Sequence, residues 1–260
     1  HPPALLAFDL DGTLLADGGM ELPGATALAL ARYRAHGVKL AVITGRDDLP
    51  PAVQALNPDA YALHNGARVV CGEEVVQEAY LPPAVLDLAQ RTAPPGGLVL
   101  ALTVPGVYAD PTHFADAAAL AAFRERWALA HRPFGPLARL GHTPLLGLWC
   151  FHPDVLVWKA RVLAECPGLH VTGAQPPYAD NMSLSAPSAD KGAALLAVCR
   201  GLGIDPSQSW AFGDSDNDVA MFRVAGRAVQ VGRLEVVSGL THERVGHHLE
   251  LGGWLASRWL

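Results

Sequence analysis

The feature that most constrains the fold of this chain is a regular alternation of short apolar runs with helical segments. Near the N-terminus the runs are "LLAF", "VKLAVI" and "DAYALH", and a helical segment from about Ala25 to His36 separates the first two. Each run has the length of a buried strand and is followed by turn residues. Strands that alternate with helices predict parallel strands joined by right-handed crossovers. This part of the chain therefore predicts an α/β fold with a parallel sheet.

The same alternation returns near the C-terminus. A helical segment from Lys191 to about Leu202 precedes the run "SWAF", and a short helix over residues 218–224 precedes "AVQV". We therefore expect both ends of the chain to contribute strands to one core.

The middle of the chain has a different pattern. Its predicted strands are "LVLALTV", "LLGLWCF", "LHVTG" and "MSLSA", and its predicted helices are "FADAAALAAFRERWALA" and "PDVLVWKARVLAEC". Pro and Gly residues punctuate this region at 94–97 and at 176–177. We predict a second α/β domain over residues 79–185, inserted into a core formed by residues 1–78 and 186–260.

Polar side chains follow three of the predicted core strands at the point where each strand ends. "LLAF" is followed by Asp9 and Asp11, "VKLAVI" by Thr44, Gly45 and Arg46, and "SWAF" by a segment that contains Asp214, Asp216, Asn217 and Asp218. Because ligands bind beyond the carboxyl ends of parallel strands, these groups can face one crevice. Each set alone has an ordinary explanation as a helix N-cap, a turn or a solvated acidic loop. Their joint placement at three strand ends favours a functional site.

The chemistry of these groups points to a cation and a phosphate. Two carboxylates about 5 Å apart repel by roughly 3 kcal/mol at an effective dielectric constant of about 20. Mg²⁺ would offset this repulsion, and Asp9, Asp214 and the Asp11 carbonyl can supply its oxygen ligands. A carboxylate beside the metal can attack phosphorus, and the aspartate two residues further on can transfer protons. Thr44 offers a hydroxyl and an N–H to phosphoryl oxygens. Lys191 offers a positive charge, unless it is an exposed surface lysine.

The third N-terminal run ends at His64 and Asn65. Because it follows the neighbouring strand of the predicted sheet, contact with a substrate is one interpretation of this pair. Packing in the core is the alternative for His64.

Four segments, in their order, resemble the motifs of the haloacid dehalogenase-like phosphatases: "DLDGTL", "ITGR", "DKG" and "GDSDNDVAM". The "NGA" after the third strand and the large insert between the second and third motifs resemble the Cof-type sugar phosphatase branch. The motif match covers about 1–75 and 186–232, and the insert is similar only in size, position and αβ character. The resemblance implies a Rossmann-like parallel-sheet core with an inserted α/β cap domain that sets substrate selectivity.

The resemblance also implies a role for each motif residue. Asp9 would be the nucleophile that forms an aspartyl phosphate, and Asp11 would be the general acid/base. Thr44 and Lys191 would complete the catalytic set. The residues expected at the substrate are Thr44, Gly45, Arg46, Lys191 and Asn217. The residues expected at the Mg²⁺ ion are Asp9, Asp11 through its carbonyl, Asp214 and Asp218.

Composition limits the expected partners. The formal net charge of −6 and the pI near 6.0 argue against a general nucleic-acid or anionic-membrane binder. The longest apolar runs are too short to span a bilayer. Four scattered cysteines without a CxxC pair favour a reducing cytoplasm over a zinc site or a disulfide framework. We therefore expect a cytoplasmic monomer or small homo-oligomer whose partner is a small phosphorylated metabolite.

The predicted function is a Mg²⁺-dependent phosphatase of small phosphomonoesters, with sugar phosphates favoured. One alternative is a sugar phosphomutase, which uses the same aspartyl phosphate but returns the phosphoryl group to the substrate. Another is a non-catalytic metabolite-binding regulator, against which the intact set of Asp9, Asp11, Lys191 and Asp214 weighs. A sugar 1-phosphate distinguishes the two enzymes, since a phosphatase releases phosphate and a mutase forms the 6-phosphate.

Overall fold

The computed structural model describes residues 2–258 and divides the chain into two compact units. One unit comprises the chain up to Glu78 and from Asp190 onward, and the other comprises Ala79–Ala189. Among the residues described, no helix is both long enough and apolar enough to cross a lipid bilayer.

Strands and helices alternate along the chain. The strands are β1 (Leu5–Phe8), β2 (Lys39–Ile43), β3 (Ala60–Leu63), β4 (Arg68–Cys71), β5 (Glu74–Glu78), β6 (Leu98–Leu102), β7 (Val107–Ala109), β8 (Phe134–Pro136), β9 (Gly147–Phe151), β10 (His170–Gln175), β11 (Tyr178–Ser185), β12 (Ser209–Gly213), β13 (Arg227–Val231) and β14 (Glu243–Val245). The helices are α1 (Gly24–Ala35), α2 (Pro51–Gln54), α3 (Pro83–Thr92), α4 (Ala117–Arg126), α5 (Val155–Glu165), α6 (Lys191–Leu202), α7 (Val219–Val224), α8 (Glu235–Ser238) and α9 (Leu251–Arg258).

An eight-stranded sheet forms the first unit, in the order β14-β13-β12-β1-β2-β3-β4-β5. The strands from β14 to β3 are parallel, and β4 and β5 add an antiparallel hairpin at one edge. The predicted α/β fold with a parallel-sheet core is confirmed, and the predicted core strands match the observed ones to within one residue at each end. The hairpin β4–β5 was not predicted, because β5 is largely exposed and has no apolar face.

Helices cover both faces of this sheet. Successive residues of β1 point to opposite faces, as the two-residue period of a strand requires. Leu6 and Phe8 share one buried cluster with residues of α1 and α9, whereas Leu5 and Ala7 share another with residues of α6. Phe8 stacks on Phe212 of β12 with 4.4 Å between the ring centroids. The strands whose ends carry the predicted site are therefore buried on both faces and held rigidly.

The second unit contains a six-stranded sheet in the order β10-β11-β9-β6-β7-β8. Its strand pairs are antiparallel except β7–β8. The strands and helices predicted from the sequence are present, and β7, β8 and α3 are additional. The observed helix α4 is shorter than the predicted segment at both ends. Its start is set by Asp116, whose side chain accepts a hydrogen bond from the Ala119 N–H at 2.8 Å.

The second unit extends to Ala189, whereas the predicted domain ended at residue 185. The hydroxyl of Ser185 donates to the Ala189 carbonyl at 2.8 Å, and the Ala189 N–H donates to the Ala186 carbonyl at 2.8 Å. These bonds fold the segment after β11 back onto the end of that strand. The turn therefore belongs to the second unit.

Candidate active site

Asp9 is the first residue after β1 and is held by the sheet itself. Its N–H donates to the Phe212 carbonyl at 2.9 Å, so the ladder between β1 and β12 continues into the site. The turn that follows brings Gly12 against the loop after β12. Gly12 has a φ of +74°, and a Cβ at this position would lie 2.6 Å from Oδ2 of Asp214. Both the backbone conformation and the close approach require glycine here.

Asp218 organises the loop that follows β12. Its Oδ2 accepts hydrogen bonds from the N–H groups of Asp214 at 2.9 Å and Ser215 at 3.1 Å. Its Oδ1 lies 2.8 Å from Nζ of Lys191. Asp218 is fully buried, so these bonds compensate for the lost hydration of its carboxylate.

Lys191 begins α6 and lies fully buried in the site. Its Nζ is 2.6 Å from Oδ1 of Asp9 and 2.8 Å from Oδ1 of Asp218. Burial alone would lower the pKa of this lysine, but the Asp218 and Asp9 carboxylates outweigh it and raise the pKa above its usual range. Lys191 is therefore a permanent cation of the site, which excludes the alternative of an exposed surface lysine.

Three buried carboxylates cluster here, and Lys191 contacts two of them, Asp9 and Asp218. Oxygens of Asp9, Asp214 and Asp218 lie within 4.8 Å of one another. Burial raises the pKa of Asp9 to about 7; Lys191 opposes this shift and the neighbouring carboxylates add to it. Burial and then the charge of Asp9 raise the pKa of Asp214 to about 10. Crowded carboxylates of this kind need more positive charge than Lys191 supplies.

A divalent cation fits this arrangement. Oδ1 of Asp214 is buried and has no hydrogen-bond partner within residues 2–258. An unpartnered buried carboxylate oxygen beside two further carboxylates is the ligand type that hard cations such as Mg²⁺ take.

Asp11 lies apart from this cluster and pairs with Arg46. Nε of Arg46 donates to Oδ2 of Asp11 at 2.9 Å, and Nη2 donates to Oδ1 at 2.6 Å. The Gly18 N–H also donates to Oδ1 at 2.8 Å, and Nη2 of Arg46 donates to the Gly19 carbonyl at 2.6 Å. The guanidinium predicted to bind substrate thus lies against the predicted acid/base. Its role as a substrate ligand stays a prediction.

Thr44 and Gly45 form the loop at the end of β2. The Thr44 N–H donates to the Ala62 carbonyl at 2.9 Å, so the β2–β3 ladder reaches this residue. The hydroxyl oxygen of Thr44 accepts from the Arg46 N–H at 3.0 Å, which orients the buried side chain. A Cβ at Gly45 would lie 3.0 Å from Oδ1 of Asn65. The loop is therefore tightly enclosed.

The turn after β3 packs on this loop. The N–H of His64 donates to the Arg46 carbonyl at 3.1 Å, and the N–H of Asn65 donates to the Thr44 carbonyl at 2.9 Å. Nε2 of His64 lies 2.9 Å from Oδ1 of Asp47, and both side chains are buried. The packing role considered for His64 is therefore present, with an ionisable partner that the sequence did not identify.

Asn217 also lies beside the loop of Thr44 and Gly45. Its Nδ2 donates to Oδ1 of Asn65 at 3.0 Å, and its Oδ1 accepts from the Ser215 hydroxyl at 3.0 Å. The structure thus brings the predicted residues together in three groups. These are Asp9, Lys191, Asp214 and Asp218; Asp11 with Arg46; and Thr44 and Gly45 with Asn217. The link through Asn65 was missed, and the "HNG" segment after a predicted strand was its only signal.

Comparison with known proteins identifies the family. A model described as haloacid dehalogenase-like hydrolase matches residues 6–94 and 157–235, which is more than half of the chain. An HMP-PP phosphatase of Cronobacter sakazakii is 28% identical over 263 residues, covering 94% of this chain and 93% of that protein. A phosphoglycolate phosphatase of Haloarcula marismortui is 49% identical over 49 residues, which is 19% of this chain.

Solved structures share the fold. A HAD subclass IIB sugar phosphatase is similar with a TM-score of 0.80 and 23% sequence identity, covering 95% of each chain. A haloacid dehalogenase-like hydrolase from B. subtilis has a TM-score of 0.80 and 20% identity, covering 99% of this chain and all of that one (100%). With the family-model match, the resemblance seen in the motifs is confirmed: the chain belongs to the haloacid dehalogenase-like hydrolases, and the relatives that it matches over most of its length are phosphatases.

Proposed function

We propose that this protein is a Mg²⁺-dependent phosphatase that hydrolyses small phosphomonoesters, sugar phosphates among them, through an aspartyl phosphate on Asp9. The observation that carries the proposal is the buried cluster of Asp9, Asp214 and Asp218, in which Lys191 contacts Asp9 and Asp218. Phosphatases of this family act on small phosphorylated metabolites and generally use a divalent metal. An aspartate held at a strand end and oriented by a buried lysine is suited to attack phosphorus.

We propose the following steps for the reaction. An oxygen of Asp9 attacks phosphorus and the P–O bond to the leaving group breaks, while Asp11, in its protonated form, gives its proton to the leaving-group oxygen. Asp11 then takes a proton from water, and the water oxygen attacks phosphorus. The bond between phosphorus and Asp9 breaks and orthophosphate leaves. Lys191 and the Thr44 hydroxyl stabilise the charge on the phosphoryl oxygens throughout.

The metal ligands we propose are Asp9, Asp214 and the backbone carbonyl of Asp11. Both oxygens of Asp218 are engaged by Lys191 and by backbone N–H groups, so we assign Asp218 to holding that lysine and the loop. When bound, Mg²⁺ supplies positive charge that offsets the repulsion between Asp9 and an anionic phosphoryl group.

The substrate is proposed only as a class. Two relatives that span most of this chain are HMP-PP phosphatases and another is a putative phosphatase, whereas the phosphoglycolate phosphatases match a short segment. The proposed catalytic groups all lie in the first unit, so we assign selectivity among phosphomonoesters to the second unit, residues 79–189.

A substrate panel tests this function. Sugar 1- and 6-phosphates, HMP-PP, phosphoglycolate and nitrophenyl phosphate are incubated with the protein and Mg²⁺, and phosphate release is measured together with product identity. Release of free phosphate supports a phosphatase, whereas conversion of a sugar 1-phosphate to the 6-phosphate without release supports the mutase. Absence of turnover on every phosphomonoester would contradict the proposal.

Activity is expected to require Mg²⁺ and to fall when excess Ca²⁺ is added. Ca²⁺ takes more ligands at longer distances than Mg²⁺, so it binds the carboxylates without supporting the same attack geometry. Phosphate release is measured with Mg²⁺, with Ca²⁺ added in increasing amounts, and with a chelator. Full activity in the chelator is the result that rules out the metal assignment.

Mg²⁺ is also expected to stabilise the protein above neutral pH. The folded-state pKa of Asp9 is raised from 3.8 to about 7, so folded protein holds this proton while unfolded protein loses it. The contribution of Asp9 to the free energy of unfolding is therefore fully present below about pH 4 and is lost as the pH rises through 7. At pH 8, Mg²⁺ at about 100 times its dissociation constant should raise Tm by roughly 5–10 °C.

Thermal melting with and without Mg²⁺ checks this expectation, and Asp214→Asn should remove most of the Mg²⁺ effect. The matched control is Asp154→Asn, the same change at an exposed residue of the second unit, which should keep the wild-type Mg²⁺ shift. An equal Mg²⁺ shift in the Asp214→Asn protein would place the ion elsewhere.

A further inference from the structure

The turn after β3 joins two loops that belong to different strands. The backbone N–H of Asn65 donates to the carbonyl of Thr44, in the loop after β2, at 2.9 Å. The side-chain Oδ1 of Asn65 accepts from Nδ2 of Asn217, in the loop after β12, at 3.0 Å. Ser215 holds the other end of the Asn217 carboxamide at 3.0 Å. Asn65 therefore ties both loops to one point.

This connection spans a large part of the sheet. β3 and β12 are three positions apart in the order β12-β1-β2-β3, and neighbouring strands lie about 4.8 Å apart, which gives roughly 14 Å between their axes. Two short side chains that meet across this distance must lie beyond the ends of β1 and β2. The surroundings of Gly45 show the same placement, because a Cβ there would lie 3.0 Å from Oδ1 of Asn65 and 3.6 Å from Nδ2 of Asn217. The Asn65–Asn217 pair therefore sits directly on the loop that contains Thr44.

The turn is held in an unfavourable backbone conformation. His64, Asn65 and Gly66 have φ values of +51°, +56° and +105°, a region that residues with a Cβ rarely occupy. The contact between Nε2 of His64 and Oδ1 of Asp47 fixes one side of the turn, and Gly66 packs against the Asp190 carbonyl at the start of α6. Such strain persists where the surrounding structure over-determines it, which is common at functional sites.

We propose that Asn65 is a positioning residue of the phosphoryl-binding site and acts through Asn217. Its carboxamide holds the Asn217 side chain beside the Thr44 loop, so that the Nδ2 group and the Thr44 hydroxyl converge on the oxygens of one bound phosphoryl group. This inference rests on the proposed phosphatase function. The site that Asn65 supports binds the phosphoryl anion through hydrogen bonds. The loss of Asn65 should therefore weaken phosphate binding more than it slows attack by Asp9.

The test variant is Asn65→Gly. Glycine adopts a φ of +56° without strain, so this change removes the carboxamide and leaves the turn and its backbone N–H in place. The matched control is Asn57→Gly, the same change at an exposed asparagine of the same unit with a φ of +47°. For each protein, kcat and KM for nitrophenyl phosphate, the inhibition constant of inorganic phosphate, and Tm are measured.

Asn65→Gly is expected to raise KM and the inhibition constant of phosphate by about 10- to 100-fold, the range for losing a hydrogen bond to a charged group. kcat should fall much less, and Asn57→Gly should match the wild type in all three constants. A double-mutant cycle with Asn217→Ala tests whether Asn65 acts through Asn217. The doubly substituted protein should bind phosphate no more weakly than Asn217→Ala alone, because both changes remove the same Asn65–Asn217 hydrogen-bonded pair.

Three results would overturn the inference. The first is an unchanged inhibition constant of phosphate in Asn65→Gly. The second is a loss of phosphate affinity in the double variant that equals the sum of the two single losses. The third applies if Asn65→Gly does not fold. The test then uses Asn217→Ala, which alters no strained backbone, and an unchanged inhibition constant of phosphate in that variant would overturn the inference. Wild-type turnover and its loss in Asp9→Asn judge the proposed function separately, so a failure of this inference is distinguishable from a failure of that function.

Discussion

Asp9→Asn is expected to reduce phosphate release from every phosphomonoester to background. Asparagine keeps the shape of the side chain but replaces the attacking carboxylate with an amide, which is a poor nucleophile. The change also removes one of the two anions within 2.8 Å of Nζ of Lys191, leaving Asp218 as its partner. The buried charge of the site then becomes less negative, so folding should be retained and a phosphate product can still bind.

The measurement is steady-state phosphate release with Mg²⁺, together with Tm and inhibition by inorganic phosphate. The control is again Asp154→Asn, which should turn over at the wild-type rate. Near-normal turnover in Asp9→Asn would falsify the covalent mechanism and favour direct attack by water.

Asp11→Asn is expected to slow turnover by about 10²–10⁴-fold, the usual contribution of general acid–base catalysis. The loss should be greatest for sugar phosphates, whose leaving alkoxide needs a proton. Nitrophenyl phosphate should lose less, because nitrophenolate leaves without one. Because hydrolysis of the aspartyl phosphate also needs the Asp11 base, a phosphoenzyme is expected to accumulate and to appear as a mass increase that maps to Asp9.

The contact with Arg46 requires a separate control. Asp11 accepts two hydrogen bonds from this guanidinium, so the asparagine variant also disturbs that pair. Arg46→Lys breaks the two-pronged geometry but keeps the carboxylate and the positive charge. If lost proton transfer causes the defect of Asp11→Asn, its rate loss will differ between the sugar phosphate and nitrophenyl phosphate. The rate loss of Arg46→Lys will then be the same for both substrates. Equal losses for both leaving groups in Asp11→Asn would instead assign its defect to the broken ion pair.

The alternation of apolar runs and helices determined much of the core. A run of four to six apolar residues has few other ways to be buried, so β1, β2, β3, β12 and β13 could be predicted almost to the residue. Because parallel strands end at one edge of a sheet, the same pattern also placed the polar residues that follow β1, β2 and β12 at a common edge.

The sequence could not predict features that depend on exposure or on distant neighbours. The hairpin β4–β5 has no buried face on β5, so periodicity carries no signal for it. Lys191 lies at a helix start, where a lysine is usually solvated. Only the packing of α6 beneath the end of β1 buries it between Asp9 and Asp218.

The links between the loops depend entirely on the order of the strands. Asn65 and Asn217 are 152 residues apart in the chain, and Asp11 and Arg46 are 35 apart. The sequence by itself determined that strands form and which polar residues end them, because burial of apolar side chains is encoded locally. Which of those residues touch was decided by the tertiary structure, because hydrogen bonds of about 3 Å need the final placement of every strand and loop that carries them.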